Sequence, residues 1–174
     1  PQQFKEMGKD ILNMSTRIPL AAEGLAAIVA SGGQSGIARK DLISFAESAA
    51  KMGVAFDITA DQAGEMMAKW RTAFKMGQPE VVELADKVNY LSNKTAATAP
   101  LISDVVTRVG PLGAIGGVAA GEIAALGASI VGAGINSEMG ATGIKNLILA
   151  LTSGESATKT QAGAFAALGL DAVE

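Results

Sequence analysis

Apolar residues recur along this chain at every third or fourth position, and glycine, proline or capping residues interrupt them roughly every 12–18 positions. That rhythm predicts a succession of short helices. β-branched residues are scattered and never alternate cleanly over the length of a strand, so no sheet is expected. The first helix covers about 3–14, with a break at Ser15–Pro19. Pro19 is expected to open a second helix, with Leu20, Leu25 and Ile28 as apolar markers and Ser31-Gly32-Gly33 as its stop. A third runs from about Arg39 to Met52, where Leu42, Phe45, Ala49 and Met52 share one face and Gly53 is the expected stop. Thr59 and Gln62 have the spacing of a capping box. They introduce a helix over about 60–75 that buries Ala63, Met66, Met67, Trp70 and Phe74. Gly77-Gln78-Pro79 separates it from a charged helix over 79–95, whose apolar stripe is Val81, Leu84, Val88 and Leu91.

Beyond residue 95 the pattern continues with smaller side chains. Pro100 starts a helix to about Arg108, and Gly110-Pro111-Leu112-Gly113 is expected to break it. A helix over 119–133 carries Ile123, Leu126, Ile130 and Ala133 on one side, and Gly134 ends it. Asn136 or Ser137 caps a helix over 138–151 with Ile144, Leu147, Ile148 and Leu151. Thr158 and Gln161 form a second capping box before a short helix to about Leu168, stopped by Gly169. The expected fold is all-α, a compact array of about seven or eight short helices. Phe45, Trp70, Phe74, Leu84, Leu126 and Leu147 are its expected core residues.

A faint repeat runs through this array. Gly36-Ile37 to Gly53-Val54 has the same outline as Gly117-Val118 to Gly134-Ile135, and a capping residue follows in each, Thr59 or Asn136. Strong identities are few, so duplication and shared helical composition both remain open as its origin. If the repeat is real, two related helical subdomains, 15–78 and 97–169, are joined by the helix at 79–96 within one fragment, 1–174.

Composition narrows the chemistry. The 174 residues include 33 Ala and 21 Gly but no His and no Cys. This removes imidazole and thiolate nucleophiles, disulfides and the usual zinc sites. A net charge of −3 and 4% aromatic residues give no reason to expect nucleic-acid binding or a base-stacking platform. Residues 1–94 carry 22 of the 31 charged residues, so the remainder should be more buried or more dependent on partners. Between Arg108 and Glu138 the single charge is Glu122, yet the uncharged stretches 109–121 and 123–137 both fall short of the roughly 20 residues of a spanning helix. There is no signal-peptide pattern, and a chain that starts at Pro1 reads as a piece of a longer protein.

Several constellations invite a functional reading, and each has a structural one beside it. Asp57 and Asp61 lack the further oxygen ligands of a metal loop, and Asp61 suits a helix N-terminus. Glu83 and Asp86 could do acid–base work, but Lys87 beside them marks a solvated face. The Gly-rich segments 32–36 and 113–117 lack the preceding strand of a phosphate loop and its Lys with Ser or Thr at set spacing. Lys69-Trp70-Arg71 could anchor a partner, although a core Trp70 with charges in water fits as well. No catalytic, cofactor-binding or metal-binding residue is nominated. More informative are Gly117, Gly121, Gly127, Gly132 and Gly134. An interior glycine costs a helix about 1 kcal/mol, so several in one segment predict close helix packing, bending or a switch.

Long strings of the chain resemble the core region of bacteriophage tail tape measure proteins. They are Ile18-Pro19-Leu20 with LAAIVASGGQSGI at 25–37, AAKMGVAFDITADQAGEMMAKWRTAF at 49–74, LADKVNYLSNKTAATAPLISDVVTRVGPLG at 84–113 and GEIAALGASIVGAGINSEMGATGIKNL at 121–147. The resemblance covers about 15–172. It implies a structural and assembly component of the virion, with no enzymatic role, lying in the tail lumen after assembly in the host cytoplasm. It also implies contacts with tail tube subunits and tail assembly chaperones, a part in length determination, and genome delivery with membrane contact during infection. Self-association is a further expectation. A continuous ruler would need an unbroken helix, whereas this segment has frequent stops and no sustained heptad, which suits an assembly node. The rival reading is a membrane-active module that inserts its 109–135 segment into the host inner membrane.

Overall fold

Nine α-helices account for most of the computed structural model, which describes residues 2–153, 158–167 and 169; the described residues contain no strand. The helices are α1 (Gln2–Ser15), α2 (Ala22–Gln34), α3 (Leu42–Phe56), α4 (Ala60–Phe74), α5 (Gln78–Lys94), α6 (Ala99–Ile115), α7 (Ala120–Gly132), α8 (Ser137–Leu151) and α9 (Lys159–Ala167). A short 3-10 turn, Arg39–Asp41, precedes α3. The expected helix end at Leu168 lies outside the described residues.

Local chemistry sets most of the helix starts. The Thr59 hydroxyl accepts from the Gln62 N–H at 3.2 Å, and the Gln62 side chain accepts from the Thr59 N–H at 3.0 Å. Thr158 and Gln161 make the same reciprocal pair ahead of α9. The Asn136 side chain accepts from the Glu138 N–H at 2.8 Å. Each bond satisfies a backbone donor that the first helical turn leaves free.

Three helix boundaries differ from expectation. Pro19 does not open α2, which begins at Ala22 after an extended Ala21. Gly53 does not end α3. The helix continues to Phe56, whose ring is buried, and Asp57 closes it in the left-handed conformation at φ 55°. Gly53 serves proximity instead, since a Cβ there would lie 3.0 Å from the Ile58 carbonyl oxygen. The Gly110-Pro111 pair does not break α6, which is continuous to Ile115 with Pro111 inside it. The proline ring faces solvent. Its cost, about 3 kcal/mol in a helix interior, is offset by burial on the other face, where Ile102, Val105, Val106 and Val109 are all inaccessible to water.

α6 occupies the middle of the molecule and packs on α4, α5, α7 and α8. Around it the helices form two groups of three. α2, α3 and α4 touch one another, and so do α6, α7 and α8, with α5 against members of both groups. In each group the middle helix runs against its neighbours. Gly113 faces Ile123 while Gly127 faces Val105, so α7 is antiparallel to α6; Gly116 faces Ile148 and Arg108 meets Glu138, so α8 is parallel to it. Gly32 faces Leu42 and Phe45, and Gly64 faces Ile28. The turns that close α2 and α6 also match. Ile37 N–H donates to the Gly32 carbonyl at 3.1 Å and Val118 N–H to the Gly113 carbonyl at 2.9 Å, across Gly36 at φ 79° and Gly117 at φ 71°. Such a turn needs a left-handed residue, which glycine supplies without strain.

Phe45, Trp70 and Leu84 lie in the core, and Phe74 is half-buried against it. Leu126 and Leu147 do not belong to it, being 41% and 48% exposed. The buried stripe of α7 is Ile123, Ala124, Gly127, Ala128 and Val131, and that of α8 is Gly140, Ala141, Ile144 and Ile148. Both are built around small residues because these helices approach their neighbours closely, which turns the adjacent leucines outward. A Cβ at Gly127 would sit 3.0 Å from Val105 Cγ1 and 3.1 Å from its Cβ, whereas one at Gly143 meets nothing within 4 Å. Gly127→Ala should therefore lower stability by about 1–3 kcal/mol through overpacking. Gly143→Ala should raise it by up to about 1 kcal/mol through helix propensity. Urea midpoints of the two variants check both signs.

Candidate interaction surface

The polar side chains are arranged for structure. Among the described residues no group of three or more Asp or Glu could hold a metal ion, and no helix is long and apolar enough to cross a membrane. Asp57 closes α3 and Asp61 sits in the first turn of α4. Glu83 pairs with Lys87 at 2.7 Å on the exposed side of α5. In the Lys69-Trp70-Arg71 cluster Trp70 is fully buried, and its Nε1–H donates to the Thr107 hydroxyl at 3.1 Å. Lys69 pairs with Glu65 at 3.4 Å, and Arg71 donates to Gln78 Oε1 at 2.7 Å. The indole thus ties α4 to α6 and is not presented to a partner.

A polar clamp fixes the start of α8. The Ser137 hydroxyl and Arg108 Nε both donate to Asp104 Oδ2, at 2.7 and 2.8 Å, and Arg108 Nη2 donates to Glu138 Oε1 at 2.7 Å. α8 is held on α6 by this clamp at one end and by Ile148 against Gly116 at the other.

The five glycines singled out beyond residue 110 play different roles. Gly117 and Gly134 are positive-φ turn residues with open space around a would-be Cβ. Gly132 has the backbone of residues 96 and 97 at ordinary contact distance. Gly121 lies under the aliphatic stem of Lys87, whose Cδ would be 3.3 Å from a Cβ there, and Gly127 is the close helix crossing. Tighter still are Gly113 against Ile123, Gly116 against Ile148 and Gly140 against Ile130. Their shared signal is a glycine within or just after a helix with an isoleucine on a facing one, which is legible only once the helices are paired. The 109–135 segment is divided between the end of α6, a glycine turn and α7, and both helices bury one face in the core.

Part of the open surface is apolar. Between α5 and α7 lies a shallow groove of about 590 Å³, floored by Tyr90, Leu91, Ala119, Gly121 and Ala125 and edged by Glu83, Asp86, Lys87 and Glu122. A smaller one, about 200 Å³, lies between α3, α4 and α5. The outer face of α8 carries Met139, Leu147 and Leu151, all exposed, with Gly143 between the first two. Residues 139, 143, 147 and 151 form one ridge along the helix.

The pattern of the family described as phage-related minor tail protein matches residues 8–174. The chain belongs to this family. Membership in it gives the chain a structural role in the phage tail. Over 158 residues the chain is 33% identical to a probable tape measure protein of Halomonas phage phiHAP-1, a match that takes in 86% of the chain and 18% of that relative. The chain thus spans less than a fifth of the relative's length. No solved structure matches it.

The exposed ion pairs set a pH dependence. A hydrogen bond from Lys51 holds the Glu47 carboxyl below its ordinary range, with burial opposing and the Lys51 charge assisting. The Lys87 hydrogen bond, then its charge, do the same to Glu83. A folded pKa below the unfolded one means stability that is present above the unfolded value and lost as pH falls through the folded one. The urea midpoint should drop from about pH 6 to about pH 3. In the double variant Lys51→Met, Lys87→Met that drop should be smaller.

Proposed function

We propose that this chain is a segment of a tail tape measure protein that acts as a folded node in tail assembly. The similarity to a probable tape measure protein over most of the chain supports this reading. The partners are tail tube subunits and the chaperones that deliver the protein to the growing tube. The segment is made in the host cytoplasm and ends in the tail lumen, from which it leaves with the genome. No catalytic step is assigned to it.

Its contribution to length follows from its dimensions. The longest described helices have 17 residues, about 26 Å each at 1.5 Å per residue. As a continuous helix the same 174 residues would span about 260 Å. A node that stays folded therefore adds far less to a tail than its residue count would as a ruler.

An in-frame deletion of these 174 codons from the parent phage tests the reading, with tails measured by electron microscopy. The expected result is missing tails, or tails whose length changes by much less than about 260 Å. Tails shortened by the full amount would mean that the segment is extended in the assembled particle, and would overturn the node.

A further inference from the structure

α5 holds Val81, Leu84, Ala85 and Val88 against the rest of the fold and turns its other side to solvent. That outer side is a crest between the two apolar hollows of the surface. Val82, Ala85, Asp86 and Asn89 border the hollow toward α3 and α4. Glu83, Asp86, Lys87 and Tyr90 border the groove toward α7. Each set has the spacing i, i+3, i+4, i+7, so each lines one flank of the helix. Asp86 belongs to both.

The hollow of about 200 Å³ ends on Met52, Phe56 and Met67, which are buried, and so offers apolar walls to a side chain from outside. The groove of about 590 Å³ is kept open by the small residues Ala119, Gly121 and Ala125 on its α7 side. Most charges beside them are already spent within the chain. Lys51 pairs with Glu47 at 2.8 Å and Lys87 with Glu83 at 2.7 Å. Glu122 accepts from the Ala119 N–H at 2.9 Å. Asp86 has no hydrogen bond or ion pair with any described residue. Lys94 stands two turns beyond it, over the Tyr90 ring at 5.9 Å, and borders neither hollow. The two ion pairs cancel, which leaves the carboxylates of Asp86 and Glu122 uncompensated.

We propose that the crest of α5 docks a cationic amphipathic helix of a partner protein. A Lys or Arg of that helix pairs with Asp86, and apolar side chains on either side of it enter the two hollows. The dimensions agree. A helix is about 10–12 Å wide with its side chains, and positions i and i+7 of a helix crossing it lie about 10 Å apart on one face, with i+4 between them. An acidic or purely apolar helix would cover Asp86 without pairing it, which is costly. Charge therefore selects the occupant. The inference concerns this surface and does not depend on the tape measure reading.

The probe is an Ala-rich helical peptide of about 20 residues with Leu, Lys and Leu at i, i+4 and i+7, titrated into the isotope-labelled chain while amide chemical shifts are followed. Saturable shifts are expected at residues bordering the two hollows. Asp86→Lys should weaken this peptide about tenfold and favour one with Glu in place of Lys. Ala55→Leu and Ala125→Leu, which fill one hollow each, should each weaken binding too. All three positions are exposed, and unchanged circular-dichroism melts would show that the variants fold. Equal binding of the Lys and Glu peptides, or no saturable shift at millimolar peptide, would overturn the proposal. So would the same shifts on concentrating the chain alone, which would assign the crest to a second copy.

Discussion

α6 meets four neighbours, and a helix can do so only where side chains at the crossings are small enough to let backbones approach. Its closest contacts follow from this requirement. Gly110 lies under Phe74, Gly113 under Ile123 and Gly116 under Ile148, and Val105 closes on Gly127 of α7. Between these crossings Ile102, Val105, Val106 and Val109 are wholly buried. Apolar burial still drives the assembly, but glycine and alanine decide which helices can lie together. Because interiors tolerate neither voids nor overlap, the positions of the small residues fix the geometry of the rest.

The same constraint explains which parts of the fold were legible beforehand. In the first half the buried residues are large, and the spacing of Leu42, Phe45, Ala49 and Met52 or of Val81, Leu84 and Val88 identifies the inner face directly. Caps at Thr59, Asn136 and Thr158 are local chemistry and are visible from two or three residues. In the second half large apolar residues point the wrong way. Periodicity selects Leu126 and Leu147, whereas the inner faces are centred on Gly127 with Ala128 and on Gly140 with Ala141. Glycine was informative as a class and ambiguous singly. Gly117 turns the chain, Gly127 admits a neighbour and Gly53 does not stop a helix, and the difference lies in residues distant in sequence. The continuity of α6 through Pro111 is of the same kind, since only tertiary burial offsets the proline.

The interaction surface was the least legible part. An exposed leucine and a core leucine look alike along the chain, and only the packing of α8 on α6 through Gly140, Ala141 and Ile144 leaves Leu147 outside. The outline shared by residues 36–54 and 117–135 hinted at the matched turns after α2 and α6. The polar chemistry was easier, because a chain without His or Cys leaves few reactive combinations to place.

Trp70 gives the molecule an internal optical reporter. It is the chain's one tryptophan, it is sealed from water, and its indole N–H spans the junction between the two helical groups. The indole is an emitter whose colour depends on the polarity around it. Light from this protein therefore reports on one seam alone, and any process that parts α4 from α6 while leaving the individual helices intact would redden the fluorescence before it changed the helical signal. The order of those two changes, followed in time, would reveal whether the chain comes apart at its middle or frays from its ends.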